Sequence, residues 1–307
     1  MNCNFDYHTC NFCPRNCGVN RYKQTGYCKS PAEITVARAA LHMWEEPCIS
    51  GIHGSGTIFF SGCTLRCCFC QNYKISSEGF GKIISTQRLS EIFLELQEKG
   101  AHNINLVTAT QYLPSVIEAI ASVKEQITIP FVYNCGGYET TETIQALAPY
   151  VDIWLPDLKY FDSRISDTYS GAPDYFEFAQ KALQQMIRQT GSLIFEDFHE
   201  GTQCCSLMKK GVIIRHMVLP GQKEDSIRLM HRIHDELPEG GYMLSLLSQY
   251  TPFYKSKNHP EINRRITTYE YEKVLDTAIS LGLTTGFMQE KSSAREEYTP
   301  PFELEGV

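Results

Sequence analysis

Six short apolar runs, spaced along residues 57–247 and separated by stretches of helical period, mark an α/β chain. The expected fold is a partial (β/α)6 TIM-type barrel carrying a small Cys-rich N-terminal extension. Strands that alternate with helices pair in parallel through right-handed crossovers. A tight cysteine group follows the first run, where a barrel strand delivers its C-terminal loop and where such folds carry their chemistry.

Residues 1–50 form the extension, 51–290 the barrel and 291–307 a charged, Pro-containing tail expected to pack loosely. Within the extension, residues 1–30 are irregular and too few to bury a core of their own. Residues 57–60 are the first strand, followed by 104–107, 131–133, 153–155, 212–217 and 242–247. Leu89, Ile92, Phe93 and Leu96 recur at i, i+3, i+4, i+7, one face of a helix between the first two strands. Val116, Ala119, Ile120 and Val123 repeat the pattern, as do Ala179, Ala182, Leu183 and Met186, and finally Tyr271, Val274, Leu275 and Ala278. Residues 191–211, around Glu196-Asp197-Phe198-His199-Glu200, read as a long connection of the kind used for lids and binding loops.

Composition narrows the function. A hydrophobic share of 42% supplies a sizeable core, and the chain carries a net charge of −7. That charge argues against nucleic acid as the main partner. No run reaches the eighteen or so apolar residues of a membrane span. Met1-Asn2-Cys3-Asn4-Phe5-Asp6 has neither a basic nor an apolar leader region, so a cytoplasmic location is expected. Thirteen cysteines in a reducing compartment point to metal or redox chemistry rather than to disulfides.

Five of those cysteines fall in the first 28 residues and four between 63 and 70. Cys63, Cys67 and Cys70 are spaced C-x3-C-x2-C. Three thiolates that close can hold three irons of a 4Fe–4S cluster and leave the fourth open to a ligand, whereas an electron carrier uses four cysteines. Zinc would need a fourth dedicated ligand, and none lies nearby in sequence. Cys68 is off the spacing and reads as a buried thiol. Cys10, Cys13, Cys17 and Cys28 follow C-x2-C-x3-C-x10-C, four soft ligands for either a structural zinc or a second 4Fe–4S cluster, with Cys3 able to replace one. Cys48, Cys135, Cys204 and Cys205 need no function, although Cys135 lies at a strand end.

Polar residues stand at the remaining strand ends. Asn134 closes the third strand, Asp157-Leu158-Lys159 the fourth, Arg215-His216 lies in the fifth, and Gln249 ends the sixth. Asp157 and Lys159 also suit a plain ion pair, Arg215 a barrel carboxylate, and His216 a buried hydrogen bond.

With Gly62-Cys63, Cys70-Gln71-Asn72, Asp157-Leu158-Lys159, Val218-Leu219-Pro220-Gly221 and Gln249-Tyr250 in this order, residues 8–290 resemble the radical S-adenosylmethionine (SAM) superfamily. Within it they are similar to the branch of the pyruvate formate-lyase activating enzyme, and most to uncharacterised relatives with a Cys-rich N-terminus. The resemblance implies that a reduced 4Fe–4S cluster on Cys63, Cys67 and Cys70 cleaves SAM, giving methionine and a 5′-deoxyadenosyl radical that takes hydrogen from a substrate. It implies Asp157 and Lys159 near the reaction and Asn134, Arg215 and Gln249 around the cofactor. It also implies a flavodoxin- or ferredoxin-type reductase and a protein or peptide substrate. Where many members carry Gly-Gly-Glu after the second strand, this chain has Thr108-Ala109-Thr110, whose hydroxyls and carbonyls can serve the SAM amino group. A small-molecule substrate, or a non-catalytic iron–sulfur module, are the alternatives.

Overall fold

The computed structural model describes residues 5–289 and 300–307. The chain enters through an irregular cysteine segment into β1 (Ile34–His42), α1 (Pro47–Ser50), β2 (Ser55–Phe60), α2 (Tyr73–Ser76) and β3 (Lys82–Ile84). Then come α3 (Thr86–Glu98), β4 (Ile104–Val107), α4 (Leu113–Val123), β5 (Phe131–Cys135), α5 (Thr141–Leu147) and β6 (Ile153–Pro156). The second half holds α6 (Ser163–Ser170), α7 (Tyr175–Thr190), β7 (Ile194–Glu200), β8 (Gln203–Met217), α8 (Lys223–Glu236), β9 (Met243–Leu247), α9 (Thr268–Ser280) and β10 (Gly286–Met288).

The sheet order is β10-β9-β8-β6-β5-β4-β2-β1-β3, open at β10 and β3. All neighbours from β2 to β10 along this path pair in parallel, and β1 pairs antiparallel with both β2 and β3. The six expected strands are β2, β4, β5, β6, β8 and β9, in order, so the partial barrel is as expected. The four expected helices are α3, α4, α7 and α9, and their repeating apolar residues pack into one core against the outer face of the sheet. Local chemistry sets their ends: Ser85 caps α3 by accepting from the Arg88 amide, and Thr267 with Glu270 forms a capping box on α9.

Strand alternation sorts side chains between two sides. Tyr133, Trp154 and Ile214 join the core beneath the helices, whereas Val132, Ile153, Leu155 and Ile213 form a separate inner cluster with Cys48 and Ile49 of α1. Continuing the inner parity along each strand reaches Asn134, Asp157 and Arg215 at the C-terminal ends. The apolar interior therefore becomes polar at one rim, and that rim is the mouth of the barrel.

Three stretches differ from expectation. The connection 191–211 is no loop: β7 and the start of β8 form an antiparallel ribbon off the main sheet. It escaped notice because β7 is exposed on both faces and so has no buried alternation. β1 falls within residues 1–50 yet belongs to the sheet. The end of the tail is not loose: Ala39 donates to the Glu305 carbonyl at 2.8 Å, Leu304 to the Ala37 carbonyl, and Arg38 pairs with Glu305. Cys3 and residues 290–299 lie outside the described residues.

Candidate active site at the barrel mouth

A cavity of about 270 Å³ opens at the mouth, bordered by Cys63, Cys67 and Cys70 together with Thr108, Asn134, Asp157, Lys159, Arg215 and Gln249. The cysteine loop owes its path to Gly62, at φ +85°, where a Cβ would meet Ser30 Oγ at 2.0 Å and the Cys28 carbonyl at 2.9 Å. No other residue fits between the loop and the extension. From behind, the Gln111 side-chain amide donates to the Ser61, Gly62 and Thr108 carbonyls. Each sulfur then receives a donor: Leu65 N–H at 3.4 Å from Cys63 Sγ, Ser170 Oγ at 2.9 Å from Cys67 Sγ, Ser76 Oγ at 3.3 Å from Cys70 Sγ. Such donors stabilise sulfur that carries charge, and hydrogen bonds to sulfur are one of the levers on a cluster's potential. Burial pushes the free Cys63 thiol up to about 11 and Cys70 to about 12, so metal must displace their protons. Three donor-supported thiols on one cavity wall fit a cluster with an open iron.

Opposite them lies a charge network. Arg215 Nε donates to Asp157 Oδ1 at 3.0 Å, and its two terminal nitrogens reach Glu45 Oε2 at 3.3 Å and Asn134 Oδ1 at 2.5 Å. Lys159 Nζ holds the other Asp157 oxygen at 2.5 Å. Burial would raise the Asp157 pKa, but Arg215 and Lys159 together hold it below the usual carboxylate range, and Asp157 in turn raises Lys159. Burial pushes the Glu45 carboxyl up, with Arg215 and the Asn105 amide opposing it. Two cations thus face two carboxylates in low-dielectric surroundings, and removing one member would leave an uncompensated charge.

Asp157, Lys159, Asn134, Arg215, Gln249 and Thr108 are all brought to this mouth. Thr110 is not. Thr108 takes a left-handed backbone (φ 58°), which turns the following residues away from the rim. Thr110 Oγ1 is consequently buried behind it, 2.8 Å from both the Tyr133 hydroxyl and a Glu139 carboxylate oxygen, and borders a different cavity. His216 is held neutral between the Leu158 carbonyl and Ser226, its pKa lowered to about 4 by burial. Cys10, Cys13, Cys17 and Cys28 meet at that second cavity, with Arg21 and Gln111.

Sequence reasoning missed Glu45, along with His42 at the end of β1 and Trp44 just after it, all of which border the cavity. The available signal was the acidic pair Glu45-Glu46 ahead of Pro47, but nothing periodic ties it to the barrel.

Residues 57–233 match the model of the radical SAM superfamily, and the chain belongs to that superfamily. It is 29% identical over 282 residues to the uncharacterized protein MJ0674 of Methanocaldococcus jannaschii, covering 89% of this chain and 75% of that one. Among solved structures, a domain of pyruvate-formate lyase-activating enzyme from Bacteroides vulgatus superposes over 58% of this chain and 92% of its own (TM-score 0.41, 14% identity). Streptococcus suis SuiB bound to S-adenosylmethionine covers 74% of this chain (TM-score 0.49, 14% identity), and this chain spans 48% of its length.

Proposed function

We propose that this chain cleaves S-adenosylmethionine at a 4Fe–4S cluster held by Cys63, Cys67 and Cys70, and that a protein or peptide is the hydrogen donor, in the manner of the enzymes that activate glycyl radical enzymes. The observation that carries this reading is the single cavity shared by those three thiols and a polar rim drawn from β4, β5, β6, β8 and β9. When bound, cluster and SAM supply one-electron cleavage of a C–S bond and a hydrogen-abstracting fragment; the protein supplies place and surroundings.

Lys159 and Arg215 offer positive charge to the SAM carboxylate, while Asp157 fixes both cations by taking one on each oxygen. Glu45, Asn134 and Thr108 present acceptors to the SAM ammonium, and Gln249, tethered to Gln289 at 3.3 Å, offers an amide to its polar atoms. Phe59, Leu65, Met217, Leu219 and Leu247 complete the wall and exclude water, which strengthens every charge contact inside. Trp44, exposed at 54%, borders the same cavity and offers an apolar contact suited to a polypeptide more than to a small polar metabolite. A flavodoxin- or ferredoxin-type protein supplies electrons in the cytoplasm, and the four N-terminal thiols hold a second metal centre.

Equilibrium binding of radiolabelled SAM to the anaerobically reconstituted protein tests the assignment. Retention by the native chain and its loss in Cys63→Ala is expected; equal retention by both would exclude an open-iron site on this loop.

A further inference from the structure

Glu46, next in sequence to the rim carboxylate Glu45, is an acid that the charge network at the mouth leaves over. It is 8% exposed, and so is the Glu45 side chain. Helix α1 fixes both from the backbone. The Ile49 and Ser50 amides donate to the Glu46 carbonyl at 2.8 and 3.0 Å, and the Glu45 amide donates to Ser50 Oγ at 2.9 Å. Glu45 is well supplied with donors: Arg215 at 3.3 Å, the Asn105 amide at 3.1 Å and the Asn134 amide at 3.4 Å. Glu46 is not, since its Oε2 is buried without a hydrogen-bond partner among the described residues. An unpaired carboxylate buried in this way is far costlier than the neutral acid.

The balance of charges points the same way. Three acids, Asp157, Glu45 and Glu46, stand around two cations, Lys159 and Arg215. Arg215 is the cation that acts on Glu46, and it already bonds both Asp157 and Glu45. Burial pushes the Glu46 carboxyl up, Arg215 opposes this, and the neighbouring Glu45 charge adds to the rise. The ionisable groups that face the chamber from other elements bring no further cation. Cys135 on β5 and Cys48 on α1 are thiols whose pKa burial raises, and His42 on β1 is kept neutral, its pKa lowered by burial to about 4. From β4 and β9 come Asn105 and Ser245, which do not ionise. Metal-bound thiolates on the cysteine loop would add only negative charge. Like-charged carboxyls this close cannot all ionise, and such a pair titrates as a unit.

We propose that Glu45 and Glu46 share one proton in the ligand-free protein, and that this proton leaves to solvent when a ligand of net positive charge enters the mouth. The pair thereby selects S-adenosylmethionine over its thioether analogue S-adenosylhomocysteine. The identity of the ligand rests on the function proposed above; the shared proton does not. SAM carries a sulfonium, an ammonium and a carboxylate, hence one net positive charge, whereas S-adenosylhomocysteine lacks the sulfonium and has none. With two acids ionised the chamber is neutral, and with three it carries the single negative charge that matches SAM. Glu46 is a positioning residue, acting through Glu45, which borders the cavity. Binding that releases a proton strengthens as pH rises.

Two measurements on the anaerobically reconstituted protein test the proposal. The first needs no ligand. Infrared difference spectra of the native chain against Glu46→Gln at pH 7 should show the carbonyl stretch of a protonated carboxyl. Glu139, raised by burial to about 8, cancels because both proteins contain it. No such band overturns the proposal. The second is calorimetric titration at pH 6 and pH 7 in buffers of different ionisation enthalpy. SAM should release about one proton from the native chain and bind about tenfold more tightly at pH 7. Glu46→Gln with SAM, and the native chain with S-adenosylhomocysteine, should release none and bind equally at both pH values. Undiminished proton release in Glu46→Gln, or equal release by the two ligands, overturns the proposal. Should the variant not accumulate, the two ligands on the native chain decide. A native chain that shows the carboxyl band but binds no SAM would instead indict the proposed function.

Discussion

Thr108 is where the site stores strain. A β-branched residue at φ 58° is rare and costs of order 1–3 kcal/mol. It is held there by Gln111, which bonds the Thr108 carbonyl at 2.7 Å. Thr108→Gly is therefore expected to raise stability in urea by about 1 kcal/mol while weakening SAM binding. A destabilised variant would refute the strain account. Arg215 carries the opposite load, since it balances Asp157 and Glu45 at once. Arg215→Met should lose about 3–5 kcal/mol of stability, more than Lys159→Met, because Asp157 would still keep Arg215 in the second variant. Denaturant midpoints of the two variants decide this. The thiols of the cysteine loop and the polar strand ends were legible from sequence because spacing and strand parity are local. Glu45 was not, since its place depends on a non-local pairing of β1 with β2 that no short pattern encodes. Thr110 was misplaced for a related reason: the turn at Thr108 reverses which side the next hydroxyl faces.

At the level of elements, strands buried on both faces announced themselves as apolar runs, and four helices by their repeat. The β7–β8 ribbon stayed hidden because exposure on both sides removes the alternation that marks a strand. The three-residue β10 is too short to carry a pattern. Helix α9 shows how much an end can matter. Glu270 receives the Thr267 and Gly221 amides at 2.9 and 2.7 Å and pairs with Arg264 at 2.7 Å, tying α9 to the turn after β8. Thr267→Ala should cost about 1 kcal/mol by thermal unfolding, and Thr267→Ser much less. Equal losses would deny the cap.

The whole molecule couples its stability to pH through buried imidazole. His216 has its folded pKa lowered to about 4 against an ordinary 6.5, so the unfolded chain binds the proton first. The stability this gives is full above pH 6.5 and is lost as pH falls from there toward 4. Between pH 7 and 5 the loss is on the order of 2 kcal/mol from His216, with His42 acting in the same direction. Urea titrations at the two pH values check the sign. The larger claim concerns the open barrel, whose mouth unites three thiols with a balanced charge network. Its most direct test is the yield of 5′-deoxyadenosine from the anaerobically reconstituted protein given dithionite and SAM, beside Cys67→Ala. The account predicts the nucleoside from the native chain and none from the variant. A full cluster in the native chain with yields equal to those of Cys67→Ala would contradict it.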